Sequence, residues 1–260
     1  VYTGTVSADG TRYGIKSPLA RNGVALVLGA EHRRESLDFR ADTVAQTTGT
    51  RDSSGAFNVT EFFSELSIPI AEEQSWAESF TINGGYRRSD YSNLDDAVQT
   101  YKIDAQLKPI PDILYRASYN RAVRAPNISE LFAAQTIGNV AAQDQCAGAR
   151  PDATAAQCAL TGVTAGQYGF IPQCPATFCS AQGGGNPDLL PERANTYTFG
   201  AVATPRFLPR FSVSIDYFNI KVNGYIAAPA AALIVSRCFA TGNPFFCSLF
   251  TRDPRSGALF

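Results

Sequence analysis

The chain has 260 residues, enough for one large or two ordinary hydrophobic cores, with 17% charged residues and a formal net charge of −1. That charged share lies below the roughly 25% of soluble domains, and the absence of any basic block argues against a nucleic-acid partner. No run of about 20 apolar residues occurs, so there is no transmembrane helix; a β-barrel stays open, because its alternating strands score weakly on hydropathy.

Residues 1–14 read as a weak strand broken at Ala8-Asp9-Gly10, and Ser17-Pro18 to Asn22-Gly23 as a turn. Val24 to Ala30 is an apolar run with a charged end, Glu31 to Glu35, and its length and β-branching predict a strand. A polar segment, Arg40 to Gly55, follows. Phe57 to Ile70 is the next predicted strand, ending at Pro69, with a turn over Ala71 to Ser75. Trp76, Phe80, Ile82 and Tyr86 then share one face, and Ala77, Ser79, Thr81, Asn83 and Arg87 the other. Ser89 to Asp96 reads as a polar turn. Tyr101, Ile103, Ala105 and Leu107 alternate with Lys102, Asp104, Gln106 and Lys108, and Pro109 to Asp112 turns the chain. Tyr115, Ala117, Tyr119, Arg121 and Val123 form the apolar face of a strand that stops at Arg124-Ala125-Pro126, since proline has no N–H for a ladder and forces its predecessor extended.

Beyond that proline lies a long loop-like region, Ala133 to Gly185. Alternation resumes over Asn195 to Ala203. After a turn from Thr204 to Pro209, Phe211, Val213, Ile215 and Tyr217 share a face, and the parity then switches to Phe218, Ile220 and Val222, which predicts a β-bulge near Tyr217 or Phe218. From Ala227 onward the chain is loop-like, with a short helix expected at Ala230 to Arg237.

The pattern therefore predicts an all-β, antiparallel up-and-down meander of about eight strands. Connections near Pro18, Pro69, Pro109 and Pro205 are short; those at 40–55, 125–191 and 227–260 are long. Short turns at one end and long loops at the other match an outer-membrane barrel, although alternation by itself suits a soluble sandwich equally.

All six cysteines, Cys146, Cys158, Cys174, Cys179, Cys238 and Cys247, fall in two of the long loops. With irregular spacing, no C-x-x-C and only His32 as a possible imidazole ligand, disulfides in an oxidising compartment account for them better than zinc. Pairing of neighbours closes the smallest rings: Cys146–Cys158, Cys174–Cys179 and Cys238–Cys247. No cofactor site is read. Gly183-Gly184-Gly185 lacks the strand, helix and Lys of a phosphate loop, and His32 has no nucleophile beside it, so a hydrolase reading has no acid–base pair. Arg33-Arg34 and Arg87-Arg88 each send one guanidinium to each face at a strand end; arginine near a membrane boundary can snorkel to headgroups, so a binding role is not required.

Arg124-Ala125-Pro126, followed by Glu130-Leu131-Phe132, resembles the barrel signature of TonB-dependent outer-membrane receptors. Asn186-Pro187, continuing to Leu189, Pro191 and Glu192, resembles the family's motif for re-entry into the wall. Glu65-Leu66 to Pro69, Gly29 to Arg33 and Asp216 to Ile220 resemble further segments, in the family's order. The resemblance implies that residues 1–260 are part of a receptor barrel of about 22 strands. Residues 133–185 and 227–260 would be its cysteine-containing extracellular loops. Plug domain, TonB box and closing strand are not seen, so an internal segment is expected. It further implies no enzyme but a transporter in the outer membrane of a Gram-negative bacterium. Such a receptor takes up a scarce nutrient (siderophore, cobalamin or saccharide), is driven by the TonB complex through the plug, and is surrounded by outer-membrane lipid. Arg124, Glu130 and Glu192 are expected to pin the ends of the long loop. The alternative reading is a secreted soluble β-sheet adhesin or glycan-binding module.

Overall fold

Period-two alternation makes strands here, and most run further than the apolar pattern marks. The computed structural model describes residues 1–259, so Phe260 in the expected last loop lies outside the described residues. In chain order the elements are β1 (Tyr2–Asp9), β2 (Ala25–Phe39), α1 (Thr43–Thr47), β3 (Ser53–Gln74), β4 (Ala77–Tyr91), β5 (Val98–Ile110), β6 (Ile113–Arg124), α2 (Ile128–Phe132), β7 (Thr136–Ala141), α3 (Ala155–Leu160), β8 (Phe178–Gly183), β9 (Glu192–Ala203), β10 (Val213–Asn223), α4 (Ala231–Thr241) and α5 (Pro244–Cys247). Eight strands form one sheet in the order β1-β2-β3-β4-β5-β6-β9-β10, and β7 and β8 make a separate hairpin. Pairing is antiparallel between β1 and β2, from β3 through β6, and on through β9 to β10, as in β4 with β5 and β6 with β9. The meander is open: β1 and β10 each have one neighbour.

Two corrections concern bulges. Pro69 does not end a strand. It lies inside β3, where the register shifts between Pro69 and Ala71, and pairing with β4 continues to Gln74. A strand tolerates proline at such an irregularity because the missing N–H falls out of the ladder. The released backbone is used elsewhere: Ser17 donates its hydroxyl to the Ile70 carbonyl at 2.6 Å, and the Glu72 N–H donates to Leu19 O at 2.9 Å. The bulge expected near Tyr217 is absent, since β10 pairs without a break from Val213–Ala203 to Asn223–Arg193. β10 is an edge strand exposed along its whole length. No buried face fixes its apolar parity, so the switch in parity carries no register change.

The chain divides into two compact units. The first, Val1–Leu37, Ser54–Leu131 and Asn186–Ile226, holds the eight-stranded sheet. The second comprises Asp38–Ser53, Phe132–Gly185 and Ala227–Phe260. The sequence pattern predicts a loop over residues 133–185, whereas they contain the β7–β8 hairpin and α3. α3 opens with a capping box between Thr154 and Gln157. α4 ends at Gly242, whose φ of 64° places it in the left-handed region that favours glycine at a helix C-terminus.

The loop unit has a core of its own. Cys146, Cys158, Val163, Ile171 and Ala258 form one buried cluster, and Cys174, Cys179, Val235 and Leu259 belong to another. Three disulfides, Cys146–Cys158, Cys174–Cys179 and Cys238–Cys247, join sequence neighbours. Each bridge stays within one loop.

Candidate functional site

The residues of the two proline motifs meet at the feet of the longest connection. Arg124 ends β6 directly opposite Glu192, which opens β9. Its Nε and Nη2 donate to the two Glu192 oxygens at 3.0 and 2.8 Å. Nη1 turns the other way and donates to Glu130 Oε2 at 3.0 Å. A guanidinium carries five donors in a fixed fork, so one arginine satisfies two carboxylates at once. Glu130 is placed by a reciprocal cap. Its N–H donates to Asn127 Oδ1 at 2.9 Å, while the Asn127 N–H donates to Glu130 Oε2 at 2.8 Å. Arg124, the Glu130 carboxyl's main partner, holds it below the usual carboxylate range against partial burial, and the Asn127 N–H adds to the effect.

Two further hydrogen bonds tie chain segments to this cluster. The Asn186 N–H donates to Glu130 O at 2.8 Å, and the Ile226 N–H, just after β10, donates to Glu192 Oε1 at 2.7 Å. Leu131 and Pro126 are buried beneath, Ala125 is half-buried, and Pro187 is exposed. Pro191 O lies beside Gly224, whose φ is 68°.

Register sorts the sheet's side chains onto two unlike faces. One is charged. Glu61, buried to 3% exposure, receives Arg33 Nη1 at 2.6 Å, Arg87 Nη1 at 3.0 Å and the Ser89 hydroxyl. Asn83 donates to Asp104 at 2.9 Å, and Ser118 and Thr198 share a hydrogen bond at 2.6 Å. Arg116 grips Asp216 through Nε at 2.8 Å and Nη2 at 2.6 Å, reaching across β9 from β6 to β10. Gly200 lies directly under this bridge, paired with both residues. A Cβ there would strike the Asp216 carboxylate and Arg116 Nε. Likewise Gly29 leaves room for the ring of Phe63, over which the Arg87 guanidinium sits at 4.6 Å. The alternation places Arg87 on the polar face and gives no sign of Glu61 as its partner. An isolated glutamate in an alternating strand gives no sign of its cross-strand neighbours.

The opposite face is aromatic and aliphatic. Tyr86 pairs with Tyr101, and Tyr119 with Tyr197. Tyr101 and Tyr119 rings are 6.0 Å apart, Tyr119 and Tyr197 rings 4.7 Å. Tyr217 on β10 lies opposite Phe199, one same-face position lower. The five tyrosines thus descend in steps as one crosses the strands, a belt oblique to them. Toward the short-turn end the same face carries Ile82, Ile103, Leu107, Tyr115 and Ile215; toward the long-loop end it carries Arg88, Gln99, Arg121 and Arg193.

In the loop unit, Arg252 and Asp144 form an ion pair whose side chains are 4% and 1% exposed. Nη1 donates to Oδ2 at 2.5 Å and Nη2 to Oδ1 at 2.9 Å. Arg252 also donates to Thr161 Oγ1 at 3.0 Å and Gly257 O at 2.8 Å. The exposed ring of His32 shares a hydrogen bond with the Thr60 hydroxyl at 3.0 Å. Among the described residues no group of His, Cys, Asp and Glu could hold a metal ion.

A search of curated proteins finds no match. The solved structure of a mutant ferric enterobactin receptor from Pseudomonas aeruginosa, in complex with enterobactin, is similar in fold. Its TM-score is 0.53 at 17% identity, over 85% of this chain and 26% of that one. This chain thus spans about a quarter of that receptor's length. A family model described as TonB dependent receptor-like, beta-barrel matches residues 2–241. With the eight-stranded meander and that match over nearly its whole length, the chain belongs to the TonB-dependent receptor β-barrel family.

Proposed function

We propose that this chain forms part of the wall of an outer-membrane active transporter, which binds a scarce nutrient and imports it with energy from the TonB complex. The observation that carries the reading is the division of the sheet into a charged face and an aliphatic face crossed by a tyrosine belt. Apolar side chains bounded by interfacial aromatics suit lipid, and charged side chains linked across strands suit a wet lumen. An oblique belt is what tilted strands need, because only a line crossing them at an angle stays level with the membrane. On this reading the long connections lie at the cell exterior, where an oxidising environment keeps their disulfides. Arg124, Glu130 and Glu192 act there as anchors of the longest loop, not as ligand contacts, because every nitrogen of Arg124 already faces a carboxylate. Wall and loops carry out no bond chemistry; siderophore, cobalamin and saccharide are the nutrient classes to test. Family membership leaves the secreted adhesin reading without support.

One pair of substitutions tests the faces. Arginine on a lipid-facing position at the membrane midplane costs about 2–4 kcal/mol. Leu107→Arg, below the belt in the intact receptor, is therefore expected to impair insertion, and Gln106→Arg, on the other face of the same strand, to leave it unchanged. The reverse result would overturn the assignment. Uptake that persists after removal of TonB would overturn the energised-transport reading.

A further inference from the structure

Above the tyrosine belt, on the same face, the sheet carries a groove of about 410 Å³. Arg88, Arg121 and Arg193 line it with Gln99, Val123 and Asp96, the single acid among its lining residues. Register explains the convergence. Arg88 pairs with Gln99, and Arg193 pairs with Val123 two residues beyond Arg121. Three guanidiniums from β4, β6 and β9 therefore share one face within a few residues of height. Arg88 is 3.6 Å from Asp90, with both side chains half exposed. Neither Arg121 nor Arg193 has a carboxylate partner among the described residues. Arg121 rests over the Tyr101 ring at 5.9 Å, which holds its guanidinium at the upper edge of the belt.

Water-facing arginines on a strand end are ordinary. These three differ in lying on the apolar face, directly beyond the aromatics, and in enclosing a concavity instead of spreading apart. They do not belong to the charged face, where Arg33, Arg87 and Arg116 have carboxylate partners. A planar guanidinium fork matches the oxygens of a phosphate, and the forks of Arg121 and Arg193, which have no carboxylate partner among the described residues, suit one phosphoester better than a diffuse surface charge. On the reading that this face meets lipid, the groove stands at headgroup height. We propose that Arg88, Arg121 and Arg193 form a binding site for the phosphorylated headgroup of an outer-leaflet lipid, with the acyl chains lying below on Ile103, Tyr119 and Phe199.

The test uses the intact receptor in nanodiscs of phosphatidylethanolamine containing either phosphorylated lipid A or its phosphate-free form. Lipid retained after transfer to detergent is counted by native mass spectrometry. The wild-type receptor is expected to retain the phosphorylated form preferentially. The combined Arg88→Gln, Arg121→Gln, Arg193→Gln variant is expected to lose that preference at least about tenfold, and the corresponding triple Lys variant to keep most of it. Equal retention of both lipids, or a preference untouched by the Gln variant, would overturn the site. Full displacement of the lipid by millimolar inorganic phosphate would show a free-anion site and overturn the lipid assignment. Membrane fractionation separates this from the wall reading. A receptor that resists alkaline extraction yet shows no preference removes the headgroup site alone, whereas one that is released removes both.

Discussion

Arg124 shows how one side chain can close a loop of more than sixty residues without a covalent bond. Arg124→Met is expected to leave Glu130 and Glu192 facing each other and to loosen both feet, so limited proteolysis between residues 125 and 191 should accelerate while the strands stay protected. Glu130 adds a pH dependence. Its folded pKa is depressed, chiefly by Arg124, so the contact is complete above the unfolded value of about 4.3 and is lost as the pH falls through the lower folded value. Loop protection should therefore be flat through neutral pH and decline only in acid, and Glu130→Gln should reduce that decline, with Glu192 still held by the same guanidinium. Gly200 makes a separate point. A side chain there has nowhere to go beneath the Arg116–Asp216 bridge, so Gly200→Val should lower the melting temperature more than Gly138→Val, where a Cβ meets nothing within 4 Å.

At the scale of elements, the strands were legible because period-two alternation is a local signal, and the motif residues Arg124 to Glu192 marked where the long loop leaves and returns. What stayed hidden is tertiary. Asp144 and Arg252 are 108 residues apart in sequence, and neither stands in a pattern that announces burial. The β7–β8 hairpin escaped notice because Thr136–Ala141 and Phe178–Gly183 are short and rich in small residues. Pro69 misled for a physical reason: proline ends a ladder unless a bulge moves its nitrogen out of register. The Arg252–Asp144 pair joins segments that no disulfide connects. Truncating one partner of a buried pair strands the other charge, so Arg252→Met is expected to destabilise the loop unit by about 3–5 kcal/mol. Hydrogen exchange in residues 142–174 would report the loss, with β4–β6 unaffected. Asp144→Asn combined with Arg252→Met should recover part of it.

For the molecule as a whole, the two units rest on different physics. The sheet carries few buried side chains, and its aromatic and aliphatic face is exposed. The loop unit has buried clusters, an internal ion pair and three disulfides, and depends on itself. Reduction is therefore expected to act selectively. Each bridge is worth about 2–4 kcal/mol, so a thiol reductant should expose residues 142–179 and 238–247 to protease and leave the strands resistant. Equal sensitivity of both units would show that the loops and the sheet fold as one.

The short reach of the disulfides bears on how such a chain is built. Their ring spans are 12, 5 and 9 residues, and none encloses a strand of the eight-stranded sheet. Oxidation can be finished on each loop before any neighbour arrives, and no covalent tie then links one hairpin to the next. Strands remain free to be laid down singly, so export, oxidation and assembly need not wait for one another.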